Sequence, residues 1–260
     1  MIKIASLHVS LPRYAVLKAA VFWTLILLAW LSYPAENRYS IMSHTFSFLG
    51  SWNEEHNPAW WWIFSLAMVF WGVSGVPLSL YFFRRFRVVS PRGAGIGAAF
   101  TLLGCVGVVL VGLVPDVRDP FYGELRWTEV HTVAAILVAV GFTLGILWYG
   151  GLILRDRFGA RHFERAHGFG PGSFAWPYLV WGGMLAVAVG NQVRWEMLYT
   201  ARKAEALAKG ETIRSSWGES INTIYAFPLW ENLVIYTLFA FLVWFAIVLH
   251  GTESAPRPEE

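Results

Sequence analysis

Six long apolar runs, separated by short segments that hold nearly all of the charge, limit what this chain can fold into. They extend from about Tyr14 to Tyr33, Ala59 to Phe83, Ala94 to Val114, Val130 to Leu154, Phe174 to Gly190 and Trp230 to Leu249. Each approaches the roughly 20 residues that a helix needs to cross about 30 Å of hydrocarbon. A helix also satisfies its backbone donors and acceptors internally, which lipid cannot do for it. A water-soluble fold is excluded by the same pattern, since only 14% of residues are charged and the mean hydropathy is +0.48. Soluble domains hold about a quarter charged residues. The prediction is an all-α polytopic membrane protein: one six-helix transmembrane domain over residues 1–251, then a disordered tail over 252–260.

The segments between the runs orient them. Arg84, Arg85, Arg87 and Arg92 follow the second run, and Arg155, Arg157, Arg161 and Arg165 follow the fourth. In a six-helix count both groups fall on one side, with Lys3, Arg13 and the tail. By the positive-inside rule that side is cytoplasmic, so both termini are expected on the cytoplasmic face of a plasma membrane. Many of the 15 tryptophans sit at run ends, at the depth of the headgroups. The net charge of +3 is spread thinly and gives no nucleic-acid footprint. Cys105 is the only cysteine, so no intrachain disulfide forms. The apolar stretch after Lys3, Arg13 and Lys18 has no small-residue cleavage site and is read as a retained first helix. Lys18 is expected to snorkel to the inner surface.

Small residues suggest how the helices pack. Gly93, Gly97 and Gly104 mark the third run, Gly141 and Gly145 the fourth, and Gly182, Ala186 and Gly190 the fifth. Such stripes let backbones approach closely in lipid, and packing inside one bundle is favoured over a dimer interface. Pro77 is expected to kink the second helix, while Pro177 sits near the start of the fifth, where a missing donor costs little. Three outer loops follow from the topology. In the first, Ser40, His44 and Ser47 share a helical face and Gly50 offers a stop, predicting a short amphipathic helix on the outer interface. In the third, a helix is expected around Arg194 to Lys209.

Ionisable groups are costly at membrane depth, so their placement is informative. The middles of the runs are nearly clean, and polar residues gather at the outer ends: Asn37, Ser40, Ser43 and His44 after the first run, Asp116 after the third, Glu129 and His131 opening the fourth, and Glu231 and Asn232 opening the sixth. Three chemistries fit this set. His44, Asp116 and His131 offer two imidazoles and a carboxylate, a ligand set that zinc accepts while leaving a position for water. Ser40 or Ser43 with His44 or His131 and Asp116 has the composition of an activated nucleophile. Arg38, Asn37 and His44 could hold a lipid headgroup with no reaction at all. A fourth reading makes these groups helix caps that satisfy one another. Nothing marks a haem pair, a late-helix lysine for retinal, or the broken helices of a secondary transporter.

The stretch Tyr39-Ser40-Ile41-Met42-Ser43-His44-Thr45-Phe46-Ser47-Phe48-Leu49-Gly50, then Pro115-Asp116, then Glu129-Val130-His131, resembles the bacterial membrane family known as domain of unknown function 998. That family is similar in outline to the Frag/DRAM membrane proteins and shares the polar S-x-L-G loop, the P-D after helix 3 and a histidine opening helix 4. The resemblance covers the first four runs, with an echo in Trp230-Glu231-Asn232, where the chain has Asn232 in place of an expected basic residue. It implies a six-helix bundle with a functional outer face and carries Ser43, Gly50, Asp116 and His131 as motif positions. The expected function is binding of a lipid headgroup or amphiphile by Asn37, Ser40, Ser43, His44, Asp116, Glu129, His131 and Glu231, or docking of a membrane partner. The alternatives are a metal-dependent membrane lipid hydrolase, for which zinc would suit the ligands, and an accessory subunit of a larger membrane complex. The expected partners are therefore membrane lipids and other membrane subunits.

Overall fold

The computed structural model describes residues 2–4, 7–53, 56–213 and 215–254. Seven helices dominate: α1 (Leu11–Leu31), α2 (Trp61–Phe86), α3 (Pro91–Leu113), α4 (Trp127–Phe158), α5 (Ala175–Ala208), the short α6 (Ser216–Ser220) and α7 (Phe227–Gly251). The described sheet consists of two antiparallel ribbons, β1 (Ile2–Ile4) with β2 (Leu7–Val9) and β3 (Pro120–Tyr122) with β4 (Leu125–Arg126). The tail predicted to be disordered lies outside the described residues from 255 onward. Its first part is ordered: Thr252–Ser254 form a 3-10 turn, and Glu253 accepts from the Tyr81 hydroxyl at 2.8 Å and pairs with Arg85 at 3.5 Å.

Among the described residues, five helices are long and apolar enough to cross a membrane: α1, α2, α3, α4 and α7. The run from Phe174 to Gly190 does not reach that standard. Its helix, α5, opens with Trp176, Pro177 and Tyr178 and runs on past Gly190 through Gln192, Arg194 and Glu196. The helix expected around Arg194 to Lys209 is therefore the continuation of α5. Large apolar side chains stand on the surface all round the bundle, among them Leu17 at 62%, Val73 at 60% and Leu147 at 55% exposed. A soluble monomer rarely presents such a surface, and lipid is the solvent that accepts it. The chain is a multi-pass membrane protein.

Successive long helices run antiparallel. The end at which α1 starts and α7 finishes is here the proximal end, and the opposite end is distal. Prolines sit where a helix start tolerates them, Pro12 in α1, Pro91 in α3 and Pro228 in α7. Ser90 caps α3 by accepting from the Gly93 N–H at 3.1 Å. Pro77 does not interrupt α2, which is helical from Trp61 to Phe86.

Backbone proximity in the centre of the bundle comes from glycine. A Cβ on Gly145 would lie 2.6 Å from Thr101 Cγ2, one on Gly107 2.7 Å from the Val138 nitrogen, and one on Gly141 would overlap the Gly104 backbone. These contacts lock α3 to α4. Gly72 and Gly112 play the same part between α2 and α3, at 2.6 Å from the Cys105 carbonyl and 2.7 Å from that of Ser65. The expectation of packing inside one bundle thus fits helices 3 and 4. The fifth helix differs: a Cβ at Gly182, Gly183 or Gly190 would meet nothing within 4 Å.

α1 is registered on α2 by bonds from the Ala59 and Trp60 N–H groups to Ser32 at the distal end and from the Tyr14 hydroxyl to the Ser74 carbonyl at 2.7 Å lower down. This register brings Lys18 level with the middle of α2. Its amine does not snorkel. Lys18 is 2% exposed, and its Nζ stands over the Trp71 ring, 2.8 Å from its centre, inside the bundle. The helix face that carries it turns toward α2, so its four-carbon stem cannot reach the surface.

Candidate functional site

The loop between α1 and α2 shapes the distal end. It forms two 3-10 turns, Ala35–Asn37 and Phe46–Gly50, joined by a turn at 41–43, and replaces the amphipathic helix expected there. The reason is local. Ser40 Oγ accepts from the Met42 N–H at 3.2 Å, and the Ser43 and His44 N–H groups both return to the Ser40 carbonyl. These serine-centred bonds compete with a continuous helix. Leu49 and Gly50 are buried, and a Cβ on Gly50 would overlap the Phe64 ring, so only glycine lets the loop close on α2.

His44 lies inside this loop, 6% exposed, between the rings of Tyr33 and Tyr39. Its Nδ1 receives the Ser40 backbone N–H at 3.3 Å and lies 2.9 Å from Ser43 Oγ. A backbone N–H can only donate, so Nδ1 is the acceptor and Nε2 carries the proton, donating to Asn37 Oδ1 at 3.2 Å. Burial pushes the His44 pKa below the usual histidine value. Asn37, Ser40, Ser43 and His44 thus form one hydroxyl–imidazole–amide relay.

Asp116 belongs to a second group. Its Oδ2 accepts from Ser47 at 2.9 Å and its Oδ1 from Thr128 at 2.7 Å, while its carbonyl takes the Ser51 hydroxyl at 2.7 Å. It ties the S-x-L-G turn to the start of α4. His131, 5% exposed, bonds the Val114 carbonyl through Nδ1 at 2.6 Å, which leaves Nε2 as its acceptor. Glu129 is exposed, and its carboxylate accepts the Arg126 N–H at 3.1 Å, capping α4. Glu231 is half-buried. Its Oε2 has no hydrogen-bond partner, the Phe46 N–H faces the carboxylate, and Asp116 lies close enough to act on it electrostatically.

The predicted residues therefore share one end of the molecule but divide among separate partners. Among the described residues no three His, Cys, Asp or Glu side chains converge as a metal ion requires. His44, Asp116 and His131 are not brought together, because each ring or carboxylate is already turned to its own loop, hydroxyl pair or carbonyl. Nor does Asp116 complete a triad with His44; Asn37 holds the third place.

Asn232 ties the His44 loop to α7; the sequence placed it among the polar residues opening the sixth run and as a departure from a motif. It is fully buried. Its Oδ1 accepts from the hydroxyls of Tyr39 at 2.8 Å and Tyr236 at 3.0 Å, and its Nδ2 donates to the carbonyls of His44 at 3.0 Å and Pro228 at 2.8 Å. All four amide valences are satisfied. A basic residue could supply donors but not the acceptor for two tyrosines. The spacing of Asn232 and Tyr236 by one helical turn was the available signal.

Beside this knot the β3–β4 ribbon frames a polar cleft of about 670 Å³, lined by Arg118, Pro120, Gly123, Glu124, Arg126 and Glu129. Of the predicted residues only Glu129 lines it. The ribbon also presents Phe121, 47% exposed and packed edge-on against Trp127 at 4.5 Å, and Tyr122, 84% exposed. The chain matches no family model, no curated protein and no solved structure.

Proposed function

We propose that this protein is a six-helix component of a bacterial plasma membrane, with both ends cytoplasmic, that holds a zwitterionic lipid headgroup in the distal cleft. Its sixth span is α5, whose first half lies antiparallel along α7: Tyr178 and Trp181 pack on Phe241, while Gln192 Nε2 reaches the Tyr225 carbonyl, just before α7, at 3.2 Å. The arginines at 84, 85, 87, 155, 157, 161 and 165 cluster at the proximal end, which supports assigning it to the cytoplasm.

The observation that carries the reading is the composition of the cleft: two arginines and two glutamates among the residues that line about 670 Å³. Arginine forks suit a phosphate, and the carboxylates suit an ammonium a few ångströms away. Phe121, Tyr122 and Trp127 give the ribbon an aromatic rim of the kind that settles at headgroup depth. The Thr128–Asp116 bond and the bonds from the Trp127 and Thr128 N–H groups to the Asp119 and Val117 carbonyls hold the segment before the ribbon against the start of α4, and so support the cleft.

The test is mass spectrometry of lipids that remain with protein purified in mild detergent, wild type beside the double variant Arg118→Ala/Arg126→Ala. Retention of zwitterionic phospholipid should fall roughly tenfold in the variant, the equivalent of about 1.4 kcal/mol of charge-assisted bonding. Equal retention by two equally stable proteins overturns the proposal.

A further inference from the structure

Along α5 a second seam faces away from the bundle. Its proximal half presents Trp176, Leu179, Gly183, Ala186 and Gly190, and its distal half Val193, Met197, Thr200, Ala204 and Leu207. The steps between them alternate three and four residues throughout, which is the a/d pattern of a coiled coil. Every one of the ten positions is exposed. Met197 is 70%, Leu207 66%, Leu179 55% and Val193 53% open.

Lipid can cover the proximal half, but the distal half continues past Gln192, Arg194 and Glu196, where the helix leaves the hydrocarbon. There an apolar row facing water lowers stability unless another surface covers it. A groove of about 700 Å³ opens at that level beside Val193 and Met197, lined also by Gln192, Glu196, Thr200 and Ala201. Knobs from a facing helix fill holes of this kind.

We infer that α5 pairs with α5 of a second copy as a parallel, left-handed coiled coil about 50 Å long, running from the membrane into the outer space. Two copies in one membrane share an orientation, so their α5 helices are parallel and each seam position meets itself. Gly183 and Gly190 then lie at equal depth and admit close backbone approach in lipid. The flanking positions accept this register: Val189 faces Arg194, Glu196 faces Ala201 and Lys203 faces Ala208, so no like charges oppose. The inference requires α5 to cross the membrane but does not involve the headgroup cleft.

Disulfide trapping in native membranes tests it. The single variants Val193→Cys, Met197→Cys and Thr200→Cys occupy the seam, while Leu198→Cys, at a position 43% exposed, lies off it. The native Cys105 is 2% exposed and sets the background. Mild oxidation should give a species of two 29.4 kDa chains several-fold more abundantly at the three seam positions than at Leu198. Equal trapping at Leu198, no trapping at any seam position, or an adduct with a different protein each overturns self-pairing. As a check independent of thiol chemistry, Val193→Lys/Met197→Lys should convert the detergent-purified dimer to one chain per particle. A wild-type protein that is already a single chain overturns the inference as well.

Discussion

Helices α3 and α5 both carry small residues four apart, yet the surroundings of the two stripes are opposite. On α3, Gly97 meets the Tyr149 ring, Gly104 the Phe142 ring and Gly107 the α4 backbone, each at under 3 Å from the place a Cβ would take. On α5, Gly182, Gly183 and Gly190 look into open space. The first stripe is enclosed by neighbours on both flanks, because short connections fold α2, α3 and α4 directly on one another. The second lies on a helix that packs on α7 and the segment before it and keeps its other face outside. A small-residue stripe marks a place where a backbone can approach. It does not say whose backbone.

Four measurements sharpen or break this contrast. Gly141→Val would push a side chain into the Gly104 backbone, which cannot rotate away as a side chain can. A loss of about 3 kcal/mol is expected in detergent unfolding. An unchanged midpoint would mean that α3 and α4 are looser than their geometry. Next comes the distal knot, which belongs to the closed part of the molecule. Asn232→Ala strips the buried Tyr39 hydroxyl, the half-buried Tyr236 hydroxyl and two carbonyls of a partner. It should lose about 2–3 kcal/mol, and a change within ~0.5 kcal/mol would exclude a load on this amide.

A smaller effect is expected from acid. The folded His44 has a depressed pKa, so below about 6.5 the unfolded chain gains a proton that the folded chain resists. Its contribution is present above that pH and lost as pH falls through the folded value. Wild type should therefore lose stability between neutral pH and pH ~5 relative to His44→Asn, and parallel pH profiles would show that the ring is not held neutral by its burial. On the open side, Gly182→Ala should leave the monomer intact and add roughly 0.5–1 kcal/mol through helix propensity alone. A loss there would reveal a neighbour against α5 within the single chain.

Much of the membrane architecture was legible because its cause is one-dimensional. Helices α1 to α4 and α7 follow from apolar runs, although the runs begin about three residues after α1, α3 and α7 do, because Pro12, Pro91 and Pro228 sit in first turns outside the apolar stretches. The loop after α1 was misread because Ser40, His44 and Ser47 match a helical period, while the serines use their side chains and carbonyls to close turns instead. Lys18 was misread because snorkelling depends on which neighbour its helix face meets. The polar cluster was legible as a depth: Asn37, Ser40, Ser43, His44, Asp116, Glu129, His131 and Glu231 do share one end. Their division into a His44 relay, an Asp116 clasp and a capping Glu129 was not, and Arg118, Glu124 and Arg126 became visible only with the ribbon that gathers them.

What the sequence determined by itself is the solvent of this protein, the number and order of its apolar runs, and the end at which its polar groups collect. Hydropathy and charge act locally along a chain, so they can be read from it. The tertiary structure decided which glycines are filled, which amide carries the knot and which face of α5 stays bare. Those outcomes depend on rotation and register between helices, set by contacts such as Tyr14 with Ser74 and Asn232 with Tyr39, residues 60 and 193 positions apart. Lipid offers helices no preferred face, and only the fit of one surface against another selects it.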